Sequence, residues 1–172
     1  MLSRACAVPL PVESGIAALY EHASFADAFE IVLPAKASVD AQVLAHFVFA
    51  EQAPWIGRLM QLRDSLVTPF GLKTSKHLLA ADSEDTSPRL YLFKIYASSA
   101  KEMVLGEDDW HLDFRASVLC RARGDDGGHT LVLTTVVQCH NALGRLYIRL
   151  IAPFHRMVVK SALQMAAARG WP

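Results

Sequence analysis

Two neighbouring segments with strand periodicity, followed directly by a long helical pattern, constrain the fold of this chain most. Residues Trp110–Arg121 and Thr130–His140 alternate between apolar and polar side chains, as half-buried β-strands do. The short segment between them, GDDGG at Gly124–Gly128, is typical of a hairpin loop. From Leu143 to Ala168 the residues follow a helical pattern, and a helix with one apolar side is expected to lie across the sheet.

One side of this last helix is predicted to face the sheet. It carries Leu146, Leu150, Phe154, Met157, Val158, Ser161 and Met165. Pro153 is expected to kink the helix or to mark the point where it restarts. Asn141 suits a helix start, and Gly144 permits a close approach of two backbones. Because a helix laid across a sheet often leaves a pocket between the two layers, we expect a cavity there.

The rest of the chain supplies further strands and two short helices. The predicted strands are Asp27–Leu33, Leu90–Ala97 and Ala100–Leu105, the last followed by a turn at Gly106–Asp108. One helix can be capped by Ser38 or Asp40, and a second is predicted from Pro54 to Gly71. Helices segregated over an antiparallel sheet predict an α+β domain. Residues 1–24 are predicted to form an arm that packs on a single domain of residues 25–172.

Length and composition limit the class of protein. With 172 residues, the chain is expected to form one domain. Its content of 52% hydrophobic and 20% charged residues is typical of an ordered globular protein and excludes intrinsic disorder. The formal net charge is zero, so the chain as a whole has no electrostatic attraction for nucleic acid.

Cysteine usage and hydropathy predict the compartment. Cys6, Cys120 and Cys139 lack the spacing of a CxxC motif and cannot all pair, which favours a reducing, cytoplasmic environment. No stretch approaches the roughly 20 apolar residues of a membrane span. The first residues hold no apolar run long enough for a secretory signal peptide.

Charge is distributed unevenly along the chain. No aspartate or glutamate occurs from Gly127 to Pro172, and this segment carries Arg145, Arg149, Arg156, Lys160 and Arg169. The simplest interpretation is a basic outer helix face that is solvated or paired with acidic loops. The alternative is that this face meets an anionic ligand or a membrane surface.

Four segments of the chain resemble a known family. They are ADAFEIVLP, PWIGRLMQLRD with TPFGLK, EMVLGEDDWHLDFR and TTVVQCHNALGRLYIRLIAPFHR, and the likeness extends over about Ala26–Leu163. They are similar to the bacterial family catalogued as domain of unknown function 2867, which is placed near the START-like, helix-grip superfamily of lipid-transfer domains, allergen-type carriers and polyketide cyclases. The resemblance implies a curved antiparallel sheet wrapped around a long C-terminal helix, with two short helices after the first strand. Superfamily members mostly bind hydrophobic small molecules beneath that helix, and a minority are enzymes; fold alone does not assign function.

Polar side chains cluster near the start of the Trp110–Arg121 strand. His111, Asp113 and Arg115 share one face by alternation, opposite Leu112 and Phe114. Pairing with the next strand is expected to bring Asp113 close to Gln138, with His140 on the side of His111. If Leu112 and Phe114 face the helix, His111 and Asp113 cannot also face it unless the strand has a bulge.

Three interpretations of this cluster remain open. The residues can decorate the wet face of a half-exposed sheet, which is the default for such alternation. They can instead provide polar anchors in an apolar pocket. The third is a metal site formed by His111, Asp113 and His140; His155 is a doubtful fourth ligand because helical spacing turns it away from the apolar side.

The leading hypothesis is a protein that holds an apolar or amphipathic small molecule between the sheet and the last helix, without a cofactor or a metal. The residues predicted to contact the ligand are His111, Asp113, Phe114, Arg115, His140, Tyr147, Phe154, Met157 and Val158. One alternative is a cyclase, dehydratase or hydrolase that uses a His111–Asp113 pair for acid–base catalysis, with Glu102 as a second carboxylate candidate. The other is an interaction module, such as a homodimer formed through a sheet edge or the basic helix face.

Overall fold

A computed structural model of the chain describes residues 4–50, 87–91, 93–124 and 127–172. The predicted helix from Pro54 to Gly71 lies outside these ranges. Within the described ranges, the fold is α+β, as the order of sequence patterns predicts.

In the described part of the chain, seven antiparallel strands form one sheet. They are β1 (Cys6–Ala7), β2 (Phe25–Leu33), β3 (Arg89–Leu90), β4 (Phe93–Ser98), β5 (Glu102–Asp108), β6 (Leu112–Arg123) and β7 (Gly128–Cys139). Their order across the sheet is β1-β2-β7-β6-β5-β4-β3. The long β6–β7 hairpin therefore lies at the centre, where the sequence has its clearest alternation.

Among the described residues, three helical segments accompany the sheet. They are a 3-10 helix (Ala17–His22), α1 (Ala41–Ala50) and α2 (Ala142–Arg169). The Asp40 carboxylate accepts a hydrogen bond of 2.8 Å from the Gln42 backbone N–H at the start of α1, which confirms one of the two predicted caps. Asn141 caps α2 by accepting from the Gly144 backbone N–H at 2.9 Å.

Strand pairing follows the predicted register, but two boundaries differ. Asp113 lies opposite Gln138, as expected. The turn predicted at Gly106–Asp108 is wrong, because these residues pair with Arg115–Asp113 as the end of β5, and the chain turns at residues 109–111 instead. The predicted strand Leu90–Ala97 is divided at Tyr91, whose positive φ of 54° interrupts the extended backbone.

The two faces of the sheet are covered by different parts of the chain. On the helix side, α1 packs over β5 and β6, and α2 packs over β2 and β7. On the opposite side, which we call the arm side, the part of the N-terminal arm that follows β1 covers the strands. Its Ile16 packs against Val104 and Val136. Alternation therefore sends every second residue of β6 toward the helices and the others toward the arm.

The orientation of α2 differs from the prediction. The residues that it buries are Gly144, Ile148, Val159, Ala162, Leu163, Ala166 and Ala167. Leu146, Leu150, Phe154 and Met157, which were expected to face the sheet, are exposed. Both sides of the helix carry apolar residues at helical spacing, and the side with small alanines packs on the sheet because it permits a closer approach. Pro153 lies on the outward side, and α2 continues through it without a restart.

Candidate functional site

The predicted polar cluster is divided between the two faces of the sheet. His111 belongs to the turn before β6, so strand alternation does not govern its direction. The residue is 3% exposed, and its ring meets the Tyr147 ring edge-on, with 5.7 Å between the ring centroids. His111 Nδ1 lies 3.5 Å from a carboxylate oxygen of Asp109. This histidine therefore packs against the first turns of α2.

Asp113 does not pair with His111. Its carboxylate lies 3.0 Å from His140 Nε2 and accepts a hydrogen bond of 3.2 Å from the Asp109 backbone N–H. The expectation that His111 and His140 lie on one side is wrong, because β6 begins only after His111. Two separate histidine–carboxylate pairs replace the predicted His111–Asp113 pair.

The predicted apolar contacts are also dispersed. The Phe114 ring faces the helix side and packs edge-on against Phe93, with 5.5 Å between centroids. Val158 is half-buried, whereas Phe154 and Met157 point to solvent. The outward placement of the latter two follows from the orientation of α2, so they cannot line a cavity between α2 and the sheet.

His155 faces the sheet, contrary to the spacing argument. Its Nε2 lies 3.1 Å from the Thr135 hydroxyl and 3.6 Å from a carboxylate oxygen of Asp27. The spacing argument failed because it took the Phe154 side of α2 as the side that meets the sheet. Across the described ranges, no three histidine, cysteine or acidic side chains lie close enough together to hold a metal ion.

Arg115 reaches the arm side and is held firmly there. Its Nη1 donates to an Asp108 carboxylate oxygen at 2.7 Å and to the Phe114 carbonyl at 2.8 Å. Its guanidinium lies 3.7 Å above the centroid of the Tyr96 ring. The Tyr96 hydroxyl in turn donates to Asp108 at 2.7 Å, so the three side chains form a closed set.

These contacts shift the pKa values of two side chains. Burial by itself would raise the pKa of Asp108, but hydrogen bonds from Arg115 and Tyr96 lower it overall. Burial, reinforced by the hydrogen bond to Asp108, raises the pKa of Tyr96 to about 12. Asp108 is therefore ionised and Tyr96 neutral near pH 7, which keeps Arg115 in place.

A second polar group, centred on Glu102, attaches the arm to the sheet. Its carboxylate accepts hydrogen bonds from Ser14 Oγ at 2.6 Å, from Ser117 Oγ at 2.5 Å and from the Gly15 backbone N–H at 2.7 Å. These three donors hold residues 14 and 15 of the arm and Ser117 of β6 around one carboxylate. The sequence identified Glu102 as a candidate carboxylate but gave no signal for Ser14, which is 88 residues away.

A surface hollow of about 320 Å³ lies between these two groups. It is lined by Gly15, Ile16, Leu19, Tyr96, Ala97, Ser98, Ser99, Glu102, Val104 and Arg115. The pairing of β4 with β5 shifts register between Ile95 and Ala97, as in a β-bulge. This bulge brings Tyr96 and Ala97 to the same hollow, although adjacent strand residues normally point to opposite faces.

The comparisons with known proteins give one family. A family model described as Protein of unknown function (DUF2867) matches residues 19–162, which is most of the chain. No curated protein and no solved structure matches the chain significantly. Among the described residues, no helix combines the length and apolarity that a bilayer crossing requires.

Proposed function

The chain belongs to the DUF2867 family of unknown function, and we propose that it binds a compact amphipathic small molecule that carries a carboxylate. The sequence-based hypothesis of small-molecule binding is retained, with the hollow on the arm side as its best-supported site. One observation carries the proposal, namely that Arg115 lines this hollow with part of its guanidinium unused.

Part of the Arg115 guanidinium has no acceptor among the described residues. Nη1 is occupied by Asp108 and the Phe114 carbonyl, whereas Nε and Nη2 donate to no group in the described part of the chain. The side chain is 20% exposed. A carboxylate can accept two parallel hydrogen bonds from the Nε–Nη2 edge of a guanidinium, the geometry that makes arginine selective for planar anions.

Preorganisation of Arg115 supports a binding role. Stacking on Tyr96 and the ion pair with Asp108 restrain the side chain before any ligand arrives. Gly106 lies opposite Arg115 in the sheet, and a Cβ there would lie 2.9 Å from Arg115 Cδ. The missing side chain therefore leaves room for the arginine to cross β5. A restrained arginine loses less conformational entropy when it binds an anion.

The remaining walls indicate the rest of the ligand. Ile16, Leu19 and Val104 provide an apolar wall beside the arginine. The charge of Glu102 is compensated by three hydrogen-bond donors, which reduces its repulsion of an anion. Small-molecule pockets commonly measure about 300–1,000 Å³, so a hollow of this size favours a compact ligand over a long acyl chain.

A direct test uses calorimetric titration with benzoate, phenylacetate and hexanoate, each compared with its neutral amide. We expect saturable binding of a carboxylate and a loss of roughly tenfold or more in affinity for Arg115→Gln, because hydrogen bonds to charged groups contribute about 1.5–3 kcal/mol. Arg121→Gln is the matched control, since Arg121 lies on the same face of β6 but donates from all three nitrogens to protein groups. Equal binding of acid and amide, or full affinity in Arg115→Gln, would contradict the proposal.

We also propose that the fold is a helix-grip fold related to the START-like superfamily. The antiparallel seven-stranded sheet with a long C-terminal helix packed over β2 and β7 supports this relation. A cytoplasmic location is supported by the three cysteines, which are all free thiols. The enzyme hypothesis has no support from the geometry, because His111 and Asp113 have different partners.

A further inference from the structure

The outward side of α2 carries a continuous apolar stripe, formed by Leu146, Leu150, Phe154 and Met157. These residues are 57%, 63%, 47% and 56% exposed. They are spaced by four, four and three residues, so they lie along one line of the helix over roughly 17 Å. Isolated exposed apolar residues are common on proteins, but a contiguous set of large ones marks an interaction surface.

Positive charge accompanies this apolar stripe along one flank. By helical spacing, Arg145, Arg149, Arg156 and Lys160 lie next to it. Arg145 and Arg149 form no ion pair or hydrogen bond through their side chains with the described residues, whereas Arg156 Nε lies 3.4 Å from Asp27. The segment from Gly127 to Pro172 contains no acidic residue that could offset this charge.

The combination of shape and charge selects the partner. A second copy of this chain would bring another positively charged helix against the first, which Coulomb repulsion disfavours. An anionic bilayer offers the opposite sign together with an apolar layer just below its headgroups. A helix with a basic flank and large exposed apolar residues matches the requirements for lying in that interface.

We infer that α2 docks on anionic lipid bilayers through this stripe. The four apolar side chains enter the boundary between headgroups and acyl chains, while Arg145 and Arg149 contact lipid phosphates. The opposite side of the same helix stays packed on the sheet through Ile148 and Leu163. Docking is independent of the proposed carboxylate site, because that hollow lies on the arm side of the sheet.

The test is flotation of the full chain with two kinds of vesicle. One is pure phosphatidylcholine, and the other also contains about 30 mol% phosphatidylglycerol, which makes its surface anionic. We expect binding to the anionic vesicles only, weakened by added salt because screening shortens the reach of the charges. Leu150→Ser combined with Phe154→Ser, and separately Arg145→Gln combined with Arg149→Gln, should each reduce the partition coefficient by roughly tenfold or more.

Val12→Ser is the matched control, because Val12 is an 87% exposed apolar residue on the arm and should leave partitioning unchanged. All substituted residues are exposed, so thermal unfolding should confirm that the variants are folded. No vesicle binding, or equal binding to neutral vesicles, overturns the inference. A concentration-dependent dimer in analytical ultracentrifugation that the Leu150/Phe154 variant dissolves would assign the face to a second copy instead. Carboxylate titrations of the same variants separate this result from the proposed function.

Discussion

Arg115 and Arg121 lie on the same strand and the same face, yet their surroundings give them different capacities. Arg121 donates from Nη2 to Glu30 at 2.8 Å, from Nη1 to Glu13 at 3.1 Å and from Nε to Thr130 at 3.4 Å. Arg115 donates from Nη1 alone within the described residues. All three guanidinium nitrogens of Arg121 are therefore occupied by acceptors, whereas Arg115 keeps two nitrogens without a described acceptor.

The difference arises from the neighbouring strands. Arg121 receives carboxylates from two directions, Glu30 on β2 and Glu13 on the arm, and its hydrogen bond to Glu30 raises its pKa. Arg115 has a carboxylate on one side and the Tyr96 ring below it. A hollow of about 510 Å³ also adjoins Arg121. Cavity volume alone therefore does not favour the region of Arg115, whereas the number of unused arginine donors does.

The largest effect is expected from Gly106→Ala, which removes the space that Arg115 occupies. The added Cβ would lie 2.4 Å from the Phe114 carbonyl oxygen and 2.9 Å from Arg115 Cδ, so backbone or side chain must move. We expect a loss of about 2–3 kcal/mol in the free energy of unfolding, measured by chemical denaturation, together with weaker carboxylate binding. Gly124→Ala is the control: its Cβ meets no atom of the described residues within 4 Å, and only its φ of +50° opposes a side chain. Equal losses in the two variants would show that the Arg115 crossing is unimportant.

A smaller effect is expected from Arg121→Gln. Its ion pairs with Glu13 and Glu30 are partly exposed, and exposed pairs contribute about 1 kcal/mol or less. The free energy of unfolding should therefore fall by less than about 1 kcal/mol, while the affinity for carboxylates stays unchanged. A larger drop in that affinity than in Arg115→Gln would reverse the roles assigned to the two arginines.

The smallest effect is spectroscopic and concerns Tyr96. Because its pKa is raised to about 12, the phenol binds its proton more tightly in the folded protein than in the unfolded chain, where tyrosine titrates near pH 10. Its contribution to stability is therefore complete below about pH 10 and is lost between about pH 10 and 12. Ultraviolet titration of tyrosinate should show a late-titrating group that Tyr96→Phe removes. Persistence of that group in the variant would place the raised pKa elsewhere.

Local patterns predicted the centre of the fold well. Alternation in β6 and β7 was sufficient to predict that Asp113 faces Gln138, because a shift of one residue would have exposed the apolar face. The caps at Asp40 and Asn141 were predicted for the same local reason, since each side chain bonds within three residues of itself. The close approach expected at Gly144 is also present, because a Cβ there would lie 2.2 Å from the His111 carbonyl oxygen.

The candidate site was predicted only in part. Arg115 was proposed as a ligand contact, but its partners Asp108 and Tyr96 were not, because Asp108 was assigned to a turn and Tyr96 lies on β4, two strands away in the sheet. His111 was assigned to a strand and lies in a turn. The Ser14–Glu102 contact joins residues that have no sequence pattern in common.

The sequence by itself determined the α+β class, the central hairpin, the helix caps and the concentration of positive charge in the last helix. These properties depend on neighbouring residues, on composition, or on the periodic spacing of apolar residues within one segment. Only the tertiary structure decided which of two apolar sides of α2 meets the sheet, and which arginine of β6 keeps free donors. Those outcomes depend on the size of the gap between packed layers and on groups from distant segments, so they arise only when the chain is folded.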